Sequence, residues 1–538
     1  MHQIATTLGR LTALLAAGSA SLVATTYYAD PAVGSPSNPG TADQPWRTLA
    51  EVAAAGGAFR AGDVLVLRAG YHGSATIRGR NPGEVLVQVE AGARATLRNL
   101  IFRAASNWRV QGLEISPEAA PAFERVTLVR VEAGCSGIVI EDCALHTTLD
   151  TTGWSASDWD TRACSGIDVA GTDNIIRRNH LLNVNFGISV TGDRNLVERN
   201  VVENFSGDGL RGLGDYGHFE YNTVKNCYDV NANHDDGFQS WSVGPGGVGT
   251  GVVRGIVLRG NRIVNYEDPH QPHRGTLQGI GCFDGFFEDW VVENNEILTD
   301  HWHGISLYGA RNCRIVNNTV VDLNAATPGP PWIRITKHKH GAASTGNLVR
   351  NNLATDFAVD AGAATRDHNV VVNGYARYFL DHPQGDLRLR PGSPAIDAGR
   401  ADDAPATDAA GLPRPLDGNA DGIAAWDIGA HEYLDPAVDS DADGMSDGNE
   451  LEAGTSAVDP AEVLRATVAR EPAGDLVITW PSVAERRYAL SIQNTIPGGA
   501  TVEPHPEEWM AGNSGSLTAR RLPGPEPVRF FRVMAVGP

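Results

Sequence analysis

Apolar positions in the middle of this chain come in short alternating runs that repeat. IIRRNHLL, LVERNVVE, HFEYNTVK, VLRGNRIV, VVENNEIL, RIVNNTVV and LVRNNLAT share one pattern, with their last aligned asparagines at Asn179, Asn200, Asn222, Asn261, Asn295, Asn318 and Asn352. Spacings of 21, 22, 39, 34, 23 and 34 residues read as one coil of roughly 21 to 23 residues that in places carries an inserted loop. Alternation predicts short strands, and the asparagine between them suits a tight or left-handed turn.

A second register supports the first: Gly166-Ile-Asp-Val, Gly187-Ile-Ser-Val, Gly209-Leu-Arg, Gly237-Phe-Gln, Gly279-Ile-Gly and Gly304-Ile-Ser-Leu. In strands stacked roughly 4.8 Å apart, the apolar residue after each glycine points inward and the next points outward. Asp168, Ser189, Arg211, Gln239 and Ser306 then form one outward row. Asp208, Asp236, Gln278 and His303 stand one above another just before the glycines.

Composition fits such a solenoid. A chain of 538 residues exceeds one ordinary globular core, and 61 glycines with 7% aromatic residues suit many tight turns around an aliphatic interior. The opening MHQIATTLGRLTALLAAGSASLVA, weakly basic and then apolar, predicts a secretory signal over residues 1–24. The expected location is secreted, periplasmic or at the surface of a bacterium. No stretch approaches the roughly 20 apolar residues of a membrane span. A net charge of −21 argues against nucleic acid and anionic membranes as partners. Lysine occurs only at Lys225, Lys337 and Lys339. Six cysteines, at 135, 143, 164, 227, 282 and 313, leave disulfides and stacked buried thiols equally open.

The repeat is preceded by YYADPAVGSPSNPGTADQPWRTLAEVAAAGGAFRAGDVLVLRAGYHG and followed by the run from SPAIDAGRADD to WDIGAHEY. Together they resemble the right-handed parallel β-helix, or pectin-lyase-like, superfamily of secreted polysaccharide-active proteins, over roughly residues 27 to 390. The resemblance implies an all-β fold, with a β-helix catalytic domain over 27–433 whose open end is plugged by helical TLAEVAAA.

Residues 439–450, DSDADGMSDGNE, fit the calcium-loop pattern D-x-D-x-D-G-x5-E. Asp439, Asp441 and Asp443 would offer carboxylates, Met445 a carbonyl, Asp447 a direct or water-mediated ligand and Glu450 a bidentate one, with Gly444 at the sharp turn. The segment resembles thrombospondin type 3 and dockerin-like loops, here within a linker over 434–460. Upstream, DGNADGIAAWDIG begins alike with Asp417, Asn419 and Asp421, but Ile428 stands where the last acid belongs. From 461 to 538, DLVITW, RYALSIQ and VRFFRVMAV predict a small accessory β-sandwich.

Polar residues gather in NANHDDGFQSW, EDPHQPHRG, CFDG, DHWHG and IRITKHKHG. Each group alone has an ordinary structural explanation: a capped turn, a core histidine, a solvated loop. Their convergence near strand ends of neighbouring coils is what marks a face, because insertions on one side of a solenoid build its binding surface. Asp235, Asp236, Asp284, His303, Arg334 and Lys337 are the catalytic candidates. His234, Gln239, Trp241, His270, His273, Arg274, Gln278, His301, His338, Lys339 and His340 are the substrate-binding ones.

HDDGF resembles the N-S-D-D-G segment of calcium-dependent pectate lyases, which implies aspartates holding calcium against a uronate carboxylate. Elimination needs a base beside that carboxylate and a cation for the developing charge, and Lys337, Lys339, His338, His340, Arg334 and His303 supply candidates. The lysine-bearing strand of those lyases has no counterpart, nor do the Lys-Ser and Arg-His-Gly segments of chondroitinase B and related alginate lyases. The order NHDDG, CFDG, WHG, RITK resembles that of polygalacturonases, which implies an inverting pair of carboxyls roughly 6.5 to 9.5 Å apart drawn from Asp235, Asp236 and Asp284, with His303, Arg334 and Lys337 beside them.

Arg274, Arg334, Lys337, Lys339, His270, His273, His338 and His340 make a basic face on an acidic protein, as an anionic glycan would favour. The reading adopted is therefore a monomeric lyase of uronate-containing polysaccharide, with Ca2+ in the C-terminal loop and the groove as a second place for it. Polygalacturonase-like hydrolysis, C5-epimerisation of a polyuronate and glycan binding without catalysis stay open.

Overall fold

A computed structural model describes residues 24–57, 59–419, 421–470, 476–482, 487–493, 510–511, 517–522 and 530–536. The predicted leader, apart from its last residue, lies outside the described residues. The coils stack as a parallel β-helix with three long columns of strands. The first column holds Ser165–Val169, Ile188–Val190, Leu210–Gly212, Asp236–Trp241, Gln278–Asp284, His303–Tyr308 and Trp332–Thr336. The second includes Ile175–Arg177 and continues to Ala364–Asp367, and the third runs from Gly70–Tyr71 to Val370–Val371.

Register follows the glycine-led motif. Ile167, Ile188, Leu210, Phe238, Ile280, Ile305 and Ile333 are Cα partners in succession, and all are buried. A Cβ on Gly166, Gly187 or Gly279 would strike the carbonyl oxygen of the glycine one coil on, so the column admits no side chain there.

The repeated asparagines form a buried ladder from Asn179 to Asn369. From Asn200 on, each Oδ1 accepts the backbone N–H and the Nδ2–H of the asparagine one coil before, at 2.8–3.1 Å. The left-handed conformation expected of them falls instead on the residue before: Arg178, Arg199, Tyr221, Asn294, Asn317 and Asn351 have φ of 52–56°. The division is physical. The asparagine is placed by its amide bonds to the coils above and below, and the turn's positive φ is left to its neighbour.

Helix Leu49–Ala55, N-capped by Thr48 Oγ1 accepting from Glu51 N at 3.2 Å, buries Leu49 and Val52 against the end of the core. At the other end, the 375–433 segment lies along the flank of the third column as well. Tyr378, Phe379, Leu387, Leu389, Ile428 and Tyr433 cluster there with Val264, Leu298, Val321 and Leu353. His431 bonds Glu296 at 2.9 Å beneath this strap.

The six cysteines are buried and free, so the disulfide alternative is set aside in favour of packed thiols. The predicted sandwich region contributes two three-stranded antiparallel sheets, most of whose side chains lie outside the described residues. No described helix is long and apolar enough to cross a membrane.

Candidate functional site

Stacking brings the candidates onto four neighbouring strands of the first column and then divides them by strand end. Asp236 is the Cα partner of Gln278, Gln239 of Gly281, and Trp241 of Asp284. The outward row continues from Gly281 to Ser306 and Arg334. His234, Asp235, Asp236, Gln278, His301 and His303 thus belong to the beginning of the strands. Trp241, Asp284, Lys337, Lys339 and His340 belong to their far end. Five residues at about 3.3 Å each separate Asp236 from Trp241, so Asp236 and Asp284 are on the order of 16 Å apart. That exceeds the roughly 6.5 to 9.5 Å of an inverting pair. Asp284 is tied to Lys339 by a 2.7 Å ion pair and is not the partner of Asp236 that the polygalacturonase resemblance implied.

Three aspartates make the floor at the strand beginnings. Asp208, Asp235 and Asp236 are 3%, 5% and 0% exposed. The Asp208 carboxylate accepts the Asp236 backbone N–H at 3.0 Å and pairs with Arg211. Burial, followed by the Asp208 charge, pushes Asp235 up to about 8. The same two causes hold Asp236 well above the carboxylate range, against the 2.8 Å hydrogen bond that Gln239 Nε2 donates to its Oδ2. Asp235 therefore keeps a proton at neutral pH, and Asp236 is biased toward its protonated form. Oδ1 of each is buried without a partner, as is Gln278 Oε1. Gly281 makes room for this arrangement, because a Cβ there would collide with Asp236 Oδ1. Asp208 and Arg211 stand on the two rows legible in the sequence, yet neither is in a polar cluster that singles it out.

Two coils on, His301 and His303 stack at 5.2 Å between ring centres. Burial first, then nearby positive groups, lowers both to about 4, so the rings are neutral at pH 7. His303 Nδ1 is 2.8 Å from Ser306 Oγ, which also receives Trp332 Nε1–H at 3.3 Å. Trp332 Nε1–H also approaches His303 Nδ1, at 3.4 Å; in the tautomer that places the ring proton on Nδ1 and donates it to Ser306, Nε2 carries the free lone pair. The Arg334 guanidinium lies 5.1 Å from the Trp332 ring centre and 5.7 Å from that of Tyr308, and its Nε has no partner. Trp302, 41% exposed, stacks on Trp332. Phe283 packs against both His303 and Tyr308. These aromatic residues belong to the site but were missed, since a ring in an apolar run looks like core until its exposure is known.

The basic face of the sequence is partly engaged within the protein. His338 is a correction to the substrate-binding set: it is 1% exposed, stacked on Phe286 at 4.4 Å and bonded through Nε2 to Gly249 O at 2.9 Å. It joins the 242–251 and 337–344 loops, and of the four KHKH side chains it is the one that turns inward. His273 bonds Trp154 O at 3.3 Å. Arg274 folds over Tyr266 and donates to Pro269 O. His270, Lys337 and His340 are exposed.

In the linker, Asp439, Asp441 and Asp443 bring ligand oxygens within 4.8 Å of one another. Asp441 Oδ2, Asp443 Oδ2 and both Glu450 oxygens are buried without partners, and burial together with the aspartate charges raises Glu450 to about 7. This donor set fits a divalent cation. Asp447 instead accepts from Ser440, its Oδ1 from the backbone N–H at 2.8 Å and its Oδ2 from the Oγ–H at 2.6 Å. Among the described residues this is the one such trio, and the groove aspartates do not form a second. The 417–423 segment repeats the turn, with Gly422 N donating to Asp417 as Gly444 N does to Asp439, but Ile428 is committed to the apolar strap.

Residues 165–352 match a family described as "Right handed beta helix region", in accord with the stacked parallel columns; the fold is a right-handed parallel β-helix. No curated protein matches the chain. Among solved structures, it is similar to a lacto-N-biosidase from Eubacterium ramulus, with 13% identity over 62% of this chain and 68% of that one and a TM-score of 0.38. The A-module of a mannuronan C-5 epimerase from Azotobacter vinelandii shows 13% identity over 60% and 94%, TM-score 0.35. An alginate lyase from Paenibacillus shows 12% over 62% and 99%, TM-score 0.33.

Proposed function

We propose that this protein is an exported enzyme that cleaves a uronate-containing polysaccharide by β-elimination. The observation that carries the reading is the placement, within four successive strands of one column, of buried aspartic acids biased toward their protonated form with a neutral His303 two coils on and the Arg334 guanidinium one coil beyond it. Arg334 would pair with the substrate carboxylate and draw charge from the neighbouring carbon. His303, oriented by Ser306, would take that carbon's proton at Nε2. The electron pair forms the new carbon–carbon double bond as the glycosidic C–O bond breaks, and Asp235 or Asp236 returns a proton to the leaving oxygen. Cation chemistry is assigned to the 439–450 loop, where it supports the linker.

A second reading, hydrolysis, is favoured by one observation: Asp235, protonated up to about pH 8, is what a glycosidase's general acid must be. The test is incubation with a panel of acidic polysaccharides, with and without calcium, following ultraviolet absorbance of an unsaturated uronate and reducing ends together. Both signals establish elimination. Reducing ends alone move the reaction to hydrolysis, and neither signal overturns cleavage.

A further inference from the structure

Toward the N-terminal coils, the outward row continues from Gln239 through Arg211, Ser189 and Asp168 to Arg130. Beside it lies a cavity of about 520 Å3 lined by Arg130, Asp168, Ser189, Thr191, Arg211 and Trp241. That size falls within the roughly 300 to 1,000 Å3 of small-ligand sites. Its walls combine one aromatic face, two guanidinium groups, the carboxylates of Asp168 and Glu132 and two hydroxyls. Such a set suits a sugar ring, whose C–H face stacks on an indole while its hydroxyls exchange hydrogen bonds with charged forks.

The cavity is built and connected. The Arg211 guanidinium sits 3.7 Å over the Phe186 ring and 5.6 Å from the Trp241 ring centre, which sets the indole's position. Arg130 lies 3.6 Å from the half-buried Asp168. Arg211 also pairs with Asp208, and its register partner Gln239 bonds Asp236, so hydrogen bonds tie the cavity wall to the buried acids. Each coil advances about 4.8 Å, close to the length of one pyranose ring.

We propose that this cavity binds the stretch of glycan flanking the reacting sugar, about one ring per coil, with Trp241 as the stacking platform and Arg130, Asp168 and Ser189 holding hydroxyl and acidic substituents farther along. The assignment rests on the reading of the protein as glycan-active and adds where the chain runs.

The experiment is calorimetric titration of the full-length Asp236→Asn protein with uronate oligosaccharides of graded length. Affinity should rise with each added ring until the cavity is filled and then level off. Arg130→Ala in the same background should weaken the longest ligand about tenfold, and Trp241→Ala should flatten the length dependence, with melting curves confirming that both variants fold. Affinity independent of length, no effect of Arg130→Ala, or no binding at all would overturn the assignment. Length-dependent binding by a wild-type protein that cleaves nothing would remove the enzymatic reading and leave this site standing. Cleavage without a length dependence would do the reverse.

Discussion

Asp236 occupies the space that a side chain on Gly281 would need: a Cβ built on that glycine collides with the Asp236 Oδ1 atom. The two residues are 45 positions apart in sequence and one coil apart in space. The glycine sits in the outward row, where its neighbours are Gln239 and Ser306, and its missing side chain lets a buried carboxyl lean across the next strand.

Gly281→Ala is therefore expected to act on the site through Asp236. Displacing a reacting group by an ångström costs about a hundredfold in rate, so kcat should fall by about that factor. Asp236→Asn, which keeps the shape and removes the proton donor, should abolish turnover with an unchanged melting temperature. Steady-state kinetics and calorimetry on both variants check this; full activity in either would remove Asp236 from the mechanism.

Asp235 makes stability depend on pH. Its proton affinity is raised in the folded state, to about 8 from 3.8, so the native protein holds a proton that the unfolded chain releases. Stability is then highest near pH 4 and below and falls as pH rises toward 8. The upper bound of the loss is of order 5 kcal/mol. Asp235→Asn should flatten this slope and melt higher than wild type on the alkaline side, in denaturation curves taken across the range.

His303 is held by Ser306 rather than by a carboxylate. His303→Ala should abolish turnover. Ser306→Ala should lower kcat about tenfold with little change in KM, because it loosens the ring's orientation without removing a substrate contact. Equal loss in both parameters would mean that Ser306 binds substrate instead.

Ladder asparagines are expected to be among the most costly residues to replace. Asn318 Nδ2 donates to Val292 O and Asn352 Oδ1, and its Oδ1 accepts from Asn295 N and Nδ2. Asn318→Leu leaves those buried groups unpaired, at roughly 1–3 kcal/mol each, so urea denaturation should show a loss of several kcal/mol. A loss below about 1 kcal/mol would show that the ladder is decorative.

Chelation should lower the melting temperature of the C-terminal part and leave the β-helix transition nearly in place. Ion binding requires Glu450 to be ionised, and its carboxyl is held up to about 7. The chelator's effect should therefore be larger above that pH than below it. No shift in any transition would remove the cation from the 439–450 loop.

The coil repeat, the inward Ile167-to-Ile305 stack and the rows carrying Asp236, Gln278 and His303 were legible in the sequence, because parallel stacking turns a regular spacing directly into register. Even the asparagine ladder announced itself, although its members proved to be hydrogen-bonded rungs and the left-handed turn fell one residue earlier. What only the tertiary structure decided is burial and the course of the inserted loops. Desolvation holds a proton on Asp235, biases Asp236 the same way and takes protons from His301 and His303. Loop packing turns His338 inward and ties Lys339 to Asp284, and strand length separates Asp284 from Asp236. These outcomes depend on how much water each group loses and on which strand end it occupies, quantities that spacing along the chain does not carry.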